Sequence, residues 1–253
     1  MNVSVTGVSH IQNELPCQDV SLIRKAGEED NVTILAISDG AGSSKYADEG
    51  AKLCVETTCS FFQDIFQDDK TPSTCTSELD EKDIESLIGE LIKKTDVIAA
   101  SHSSSPREFC ATLLGCVTCG EVSFFFQIGD GCWVYGKNPD EIFCPTWPQQ
   151  GEYASQTVFA NTKQALDYVQ IYHLAEEPAF ICGFTDGLER LALDFTEKKP
   201  SPGFFRPLIK QIVKLDEELR DTVVADFLRS DRVTEKIDDD ITIGILVFDE
   251  DRL

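Results

Sequence analysis

The chain has 253 residues, 42% of them hydrophobic and 26% charged, an ordinary globular composition that argues against a disordered or fibrous architecture. Lys and Arg number 22 against 45 Asp and Glu, a formal net charge of −23. A surface this acidic repels nucleic-acid phosphates and anionic lipid headgroups, while it tolerates basic partners and divalent cations.

In chain order, Val3-Ser-Val-Thr-Gly alternates and predicts a strand, with a second over 20–23. Residues 31–38 form a continuous β-rich run ending in Asp39-Gly40, the pattern of a buried strand. Apolar positions at helical spacing predict a helix over 46–67. A polar loop over 68–81 follows, then a second helix over 83–100 through Ile84, Leu87, Ile88, Leu91 and Ile92. Three strands come next, over 110–119, 122–128 and 132–135. The turns between them, Cys119-Gly120-Glu121 and Gly129-Asp130-Gly131, are short enough to predict consecutive antiparallel neighbours. Residues 149–173 read as loop, short strand and turn. A buried run over 179–185 again ends in Asp-Gly. A helix begins over 188–193, one or two helices occupy 204–228, and 241–248 closes the chain as a strand. This order predicts an α+β domain spanning 1–253, with antiparallel sheets covered by helices. The closing strand requires a partner from the N-terminal half.

No run of about 18 apolar residues is present, so no membrane-spanning helix is expected. The opening MNVSVTGVSHIQNE lacks the basic and apolar regions of a signal peptide. Ten cysteines sit mostly inside apolar runs such as FCATLLGCVTC, where a reduced thiol packs as a small hydrophobe. Free thiols and a cytoplasmic location are expected. Cys116 and Cys119 form a CxxC, but no second pair completes a zinc site, and an alternating strand turns them to opposite faces.

The candidate chemistry lies in aspartates at strand ends: Asp39-Gly40, Asp130-Gly131, Asp186-Gly187 and Asp238-Asp239-Asp240. Adjacent strands can bring such ends together, and clustered carboxylates repel strongly unless a cation lies between them. Hard oxygen ligands select Mg²⁺ or Mn²⁺ over zinc or copper. Each Asp-Gly is also an ordinary turn dipeptide. Gly40-Ala-Gly-Ser-Ser-Lys45 is not a P-loop. Neither a Cys-x5-Arg nor a GxSxG nucleophile is present. Three histidines, His10, His102 and His173, supply little for a Ser-His-Asp or three-His site.

In order, the following residues resemble the metal-dependent serine/threonine phosphatases of the PPM or phosphatase 2C type, in a bacterial-style variant: Ser9-His10, Cys17-Gln18-Asp19, Ile37-Ser-Asp-Gly-Ala-Gly-Ser43, Ala111-Thr-Leu-Leu114, Ile128-Gly-Asp-Gly131, Gly151-Glu-Tyr-Ala154, Thr185-Asp-Gly-Leu188 and Asp239-Asp-Ile-Thr242. The resemblance implies a β-sandwich of two antiparallel sheets flanked by helix pairs. It also implies hydrolysis of phosphoserine and phosphothreonine by direct attack of a water bridging two Mg²⁺ or Mn²⁺ ions. Asp39 would bridge both ions, the Gly40 carbonyl would bind one, and Asp186 and Asp239 would complete the other site. Asp19 would hold metal-bound waters, and Asp130 with Asp186 would hold a third ion. Residues 149–173 would lie in the flap beside the substrate cleft. Phosphoprotein substrates, a cognate Ser/Thr kinase and a monomeric state are the partner expectations.

The chain departs from the family pattern at four places. Gln18 stands at an acidic position, and no arginine lies between Val3 and Leu22, which leaves His10 as the phosphate-binding candidate. Ala41 replaces the histidine after the first Asp-Gly, and Asp240 replaces an Asn. Asp239 is chosen among the three aspartates because Ile-Thr follows at the family's spacing. A non-catalytic regulatory module on the same fold, or a phosphatase of small molecules, are the alternatives.

Overall fold

The computed structural model describes residues 1–67, 76–149 and 157–253. The strands are β1 Asn2–Val5, β2 Asp19–Ala26, β3 Val32–Asp39, β4 Leu113–Cys119, β5 Val122–Ile128, β6 Cys132–Asn138, β7 Glu141–Phe143, β8 Gln170–Leu174, β9 Phe180–Phe184, β10 Leu193–Asp194, β11 Lys199–Pro200 and β12 Ile241–Val247. The helices are α1 Val8–Gln12, α2 Ala47–Gln67, α3 Glu81–Ser101, α4 Glu189–Ala192, α5 Pro202–Ile212, α6 Glu217–Leu228 and α7 Asp231–Thr234. Among the described residues, no helix is long and apolar enough to cross a membrane.

Two five-stranded antiparallel sheets face each other, ordered β1-β12-β9-β6-β7 and β2-β3-β4-β5-β8, with β10-β11 a separate small ribbon. Why β3 reads as an unbroken apolar run is now visible. Leu35 and Ile37 point between the sheets onto Leu114, Phe125 and Trp133. Ile34 and Ala36 point the other way, into the layer made by α2 and α3. Helices α5 and α6 cover the second sheet through Phe205, Ile209, Val224 and Leu228. The layering is therefore helix, sheet, sheet, helix, as expected. The closing strand finds its N-terminal partner: β12 pairs with β1 over Ile241–Gly244 and with β9 over Ile243–Val247. Helix α3 starts at Asp80 because its carboxylate accepts from Lys82 N–H at 2.8 Å, while the Asp83 carboxylate accepts from Asp80 N–H at 2.9 Å. The CxxC behaves as a strand pair, with Cys116 between the sheets and Cys119 against the α2–α3 layer.

One expectation requires correction. Residues 122–128 and 132–135 were expected to pair across Gly129-Asp130-Gly131. Instead β5 pairs with β4 and β8, and β6 pairs with β7 and β9 in the opposite sheet. Gly129 and Gly131, at φ +97° and +82°, carry the chain across the edge of the sandwich rather than back along one sheet. Short turn chemistry specifies a reversal but not which sheet receives the next strand. The result is that Asp130 sits on the edge where both sheets end.

Candidate active site

Antiparallel pairing sets Asp19 directly opposite Asp39, at the start of β2 and the end of β3. Partners in this register project to the same face, so the two carboxyls are neighbours. The opposite sheet ends at the same edge. Asp186 follows β9 after Thr185, and residues 238–240 lead into β12. Thr185 joins the sheets: its hydroxyl donates to Asp19 Oδ2 at 2.6 Å and accepts from Thr242 N–H at 3.0 Å. Thr112 N–H donates to the Asp39 carbonyl at 2.8 Å, and Asp39 N–H donates to the Thr112 hydroxyl at 3.0 Å, fixing the end of β3. Gly187 packs so closely on the loop before β12 that an added Cβ would lie 2.2 Å from the Asp240 carbonyl oxygen.

The electrostatics show that the strand ends converge. Burial raises the Asp39 carboxyl well above the ordinary range, reinforced by Asp19, Asp186 and Asp130. Burial pushes Asp186 up to about 8, with Asp130, Asp239, Asp19 and Glu189 adding like-charge repulsion. Burial likewise lifts Asp19, only 4% exposed, to about 7, against the opposing Thr185, Asp39 and Thr242 hydrogen bonds. Asp130 is raised by burial, although the Thr157 hydroxyl donates to its Oδ2 at 2.8 Å, and its Oδ1 is buried with no hydrogen-bond partner among the described residues. The Gln18 Oε1, on a side chain 7% exposed, has none either.

The three consecutive aspartates separate cleanly. Asp240, 3% exposed, accepts from Gly7 N–H at 2.7 Å and Gln18 N–H at 2.5 Å, and pairs with His10 Nδ1 at 2.9 Å. Its role is to tie the N-terminal segment to the start of β12. Asp238 and Asp239 are exposed and line a cleft of about 570 Å³ with Asp130, Asp186 and Glu189. Asp239 is the one in electrostatic contact with both Asp130 and Asp186. His10 lies on α1 with a side chain 13% exposed, and it is outside the lining of this cleft. The Gly40 N–H donates to the Gln18 carbonyl at 3.0 Å, which places Gly40 beside the Asp19–Asp39 pair. The motif Gly151-Glu-Tyr-Ala154 lies outside the described residues.

Three cleft residues were not read from the sequence. Glu189 accepts from Gly131 N–H at 2.8 Å, and burial pushes it up to about 7. Its signal was position alone, three residues after Asp186. Arg190 and Lys236 supply cations to the same cleft.

This donor set suits a hard divalent cation. It consists of carboxylates from both sheets held at raised pKa, plus a carboxylate oxygen and an amide oxygen that are buried without partners among the described residues. Among the described residues no three His, Cys, Asp or Glu side chains stand close enough together to hold a metal ion between them.

The sequence profile of protein phosphatase 2C matches residues 6–229. The chain belongs to the protein phosphatase 2C family. Family and enzyme class, a metal-dependent serine/threonine protein phosphatase, are as the motif order implied. "Serine/threonine-protein phosphatase 3" of Escherichia coli (strain K12) is 28% identical over 254 residues, covering 98% of this chain and 97% of that protein. The serine/threonine phosphatase Stp1 from Staphylococcus aureus superposes with a TM-score of 0.65 at 13% identity, covering 98% of this chain and 94% of its own. The structure of RsbX in complex with magnesium gives 0.54 at 14% identity, over 96% and 92%. At these identities the two solved structures speak for the shared fold, a sandwich of antiparallel sheets between helices.

Proposed function

We propose that this phosphatase, with residues 1–253 acting as one catalytic domain, hydrolyses phosphoserine and phosphothreonine in proteins at the strand-end carboxylates. Asp39, Asp186, Asp239 and the Gly40 carbonyl would hold a pair of Mg²⁺ or Mn²⁺ ions, Asp19 would support them, and Asp130 with Asp186 would hold a third. Bound there, such ions supply the charge that neutralises phosphoryl oxygens and lowers the pKa of an attacking water. The protein's own part is positional. Thr185 holds Asp19, Thr112 holds the end of β3, and Asp240 anchors the segment that carries Asp239. The carrying observation is the 2.6 Å bond from the Thr185 hydroxyl to Asp19, which ties the residue before Asp186 in one sheet to the register partner of Asp39 in the other. A Ser/Thr kinase is the expected counterpart. The acidic surface and the thiols of Cys54, Cys116 and Cys182, buried in the core, support a cytoplasmic setting.

The test is release of phosphate from para-nitrophenyl phosphate and a phosphothreonine peptide, in Mn²⁺ and in EDTA. Turnover in Mn²⁺ that EDTA abolishes is the expected result. No metal-dependent release from either substrate would reject the enzyme and favour a binding module.

A further inference from the structure

We propose that Arg190 and Lys236 bind the phosphoryl oxygens of the substrate, the task for which the N-terminal segment provides no arginine. This rests on the phosphatase reading above and names the side chains that recognise its substrate. Both cations line the carboxylate cleft of about 570 Å³. Each lies close in sequence to a candidate ligand: Arg190, in α4, comes four residues after Asp186, and Lys236, in the turn after α7, three residues before Asp239.

Both side chains are exposed, and among the described residues neither makes an ion pair. Other cations do find carboxylates, as Lys137 with Glu176 at 2.8 Å and Arg252 with Asp249 at 2.6 Å. Two uncommitted cations beside a cluster of carboxylates are placed to offset the repulsion that a phosphate dianion meets at this wall. His10 is a weaker candidate. Its Nδ1 is committed to Asp240, and it does not line the cleft.

Steady-state kinetics on both substrates, at saturating Mn²⁺, test the assignment in Arg190→Ala, Lys236→Ala, the double variant and Lys236→Arg. Calorimetric titration with inorganic phosphate adds a readout independent of turnover. Lys93→Ala, on an exposed part of α3, removes the same charge at a distance. Each single alanine is expected to raise KM roughly fivefold with kcat within about twofold, the signature of lost binding common to ground and transition states. Phosphate affinity should fall in parallel and the double variant should fall further, while Lys236→Arg retains most of the affinity and Lys93→Ala all of it. Wild-type KM and phosphate affinity in the double variant would overturn the assignment while leaving the phosphatase reading intact. So would a kcat loss at unchanged KM and phosphate affinity. Absence of metal-dependent turnover in the wild-type protein would instead overturn the phosphatase reading, and the phosphate titrations would still decide the role of the two cations.

Discussion

Replacing Asp186 by Asn should stabilise the metal-free protein while destroying its metal-dependent function. Asp186 has its pKa raised from 3.8 to about 8 by burial and by Asp130, Asp239, Asp19 and Glu189. A carboxyl raised on folding keeps its proton longer in the native state than in the unfolded chain. Stability therefore falls as pH climbs from about 4 to about 8, and the full penalty applies above that window. At about 1.4 kcal/mol per pH unit, the limiting cost of ionising Asp186 is on the order of 5 kcal/mol. Water in the cleft screens part of this, leaving about 2 kcal/mol, or roughly 4–8 °C in Tm for a chain of this size. The assay is thermal unfolding of both proteins in EDTA at pH 5 and pH 8, repeated with Mn²⁺. In EDTA the variant should be the more stable, by a margin that grows toward pH 8. In Mn²⁺ the order should reverse, because a site filled at 100 times its Kd adds about 2.7 kcal/mol to the wild type only. A variant no more stable than wild type in EDTA at pH 8 would refute the claim that buried like charges strain this edge.

Asp240→Ala strands the buried Gly7 and Gln18 N–H donors and releases His10, so urea unfolding should show a loss of about 3 kcal/mol, with Asp240→Asn losing less. Thr185→Val removes the donor to Asp19 and the acceptor for Thr242 N–H. It should cost about 2 kcal/mol by the same measurement and weaken Mn²⁺ binding in calorimetry. Gly187→Ala would force a methyl against the Asp240 carbonyl, and should lower metal-dependent turnover at least about tenfold by shifting the loop that carries Asp239. Burial pushes the Cys54 thiol up to about 12, and Cys116 and Cys182 higher still, so these thiols should react with Ellman's reagent only after unfolding; rapid labelling in the native protein would contradict the packing.

The strand ends that matter were legible because a buried strand followed by Asp-Gly is a local pattern. Residues 31–40 and 179–187 carry apolar runs that only a doubly covered sheet explains. Helices α2 and α3 were legible from 3.6-residue periodicity over 21 residues each. Helices α1 and α7, of five and four residues, are too short to show a period, as are β7 and the β10-β11 ribbon. The crossing at Asp130 was misread because glycines at positive φ serve a hairpin and a sheet-to-sheet passage equally. Within the site, the burial of Asp240 separates it from Asp238 and Asp239, which both line the cleft. Glu189, Arg190 and Lys236 left no signature, since they share the cleft through the meeting of separate segments at one edge rather than through any spacing along the chain.

The central claim is that carboxylates from the ends of both sheets share one pair of hard cations. Anomalous diffraction from a crystal grown in Mn²⁺ tests it most directly. Two strong peaks within ligating distance of Asp39, Asp186 and Asp239 are predicted, one of them also touching the Gly40 carbonyl. Manganese found only at other acidic surfaces, with these three side chains uncoordinated, would contradict it.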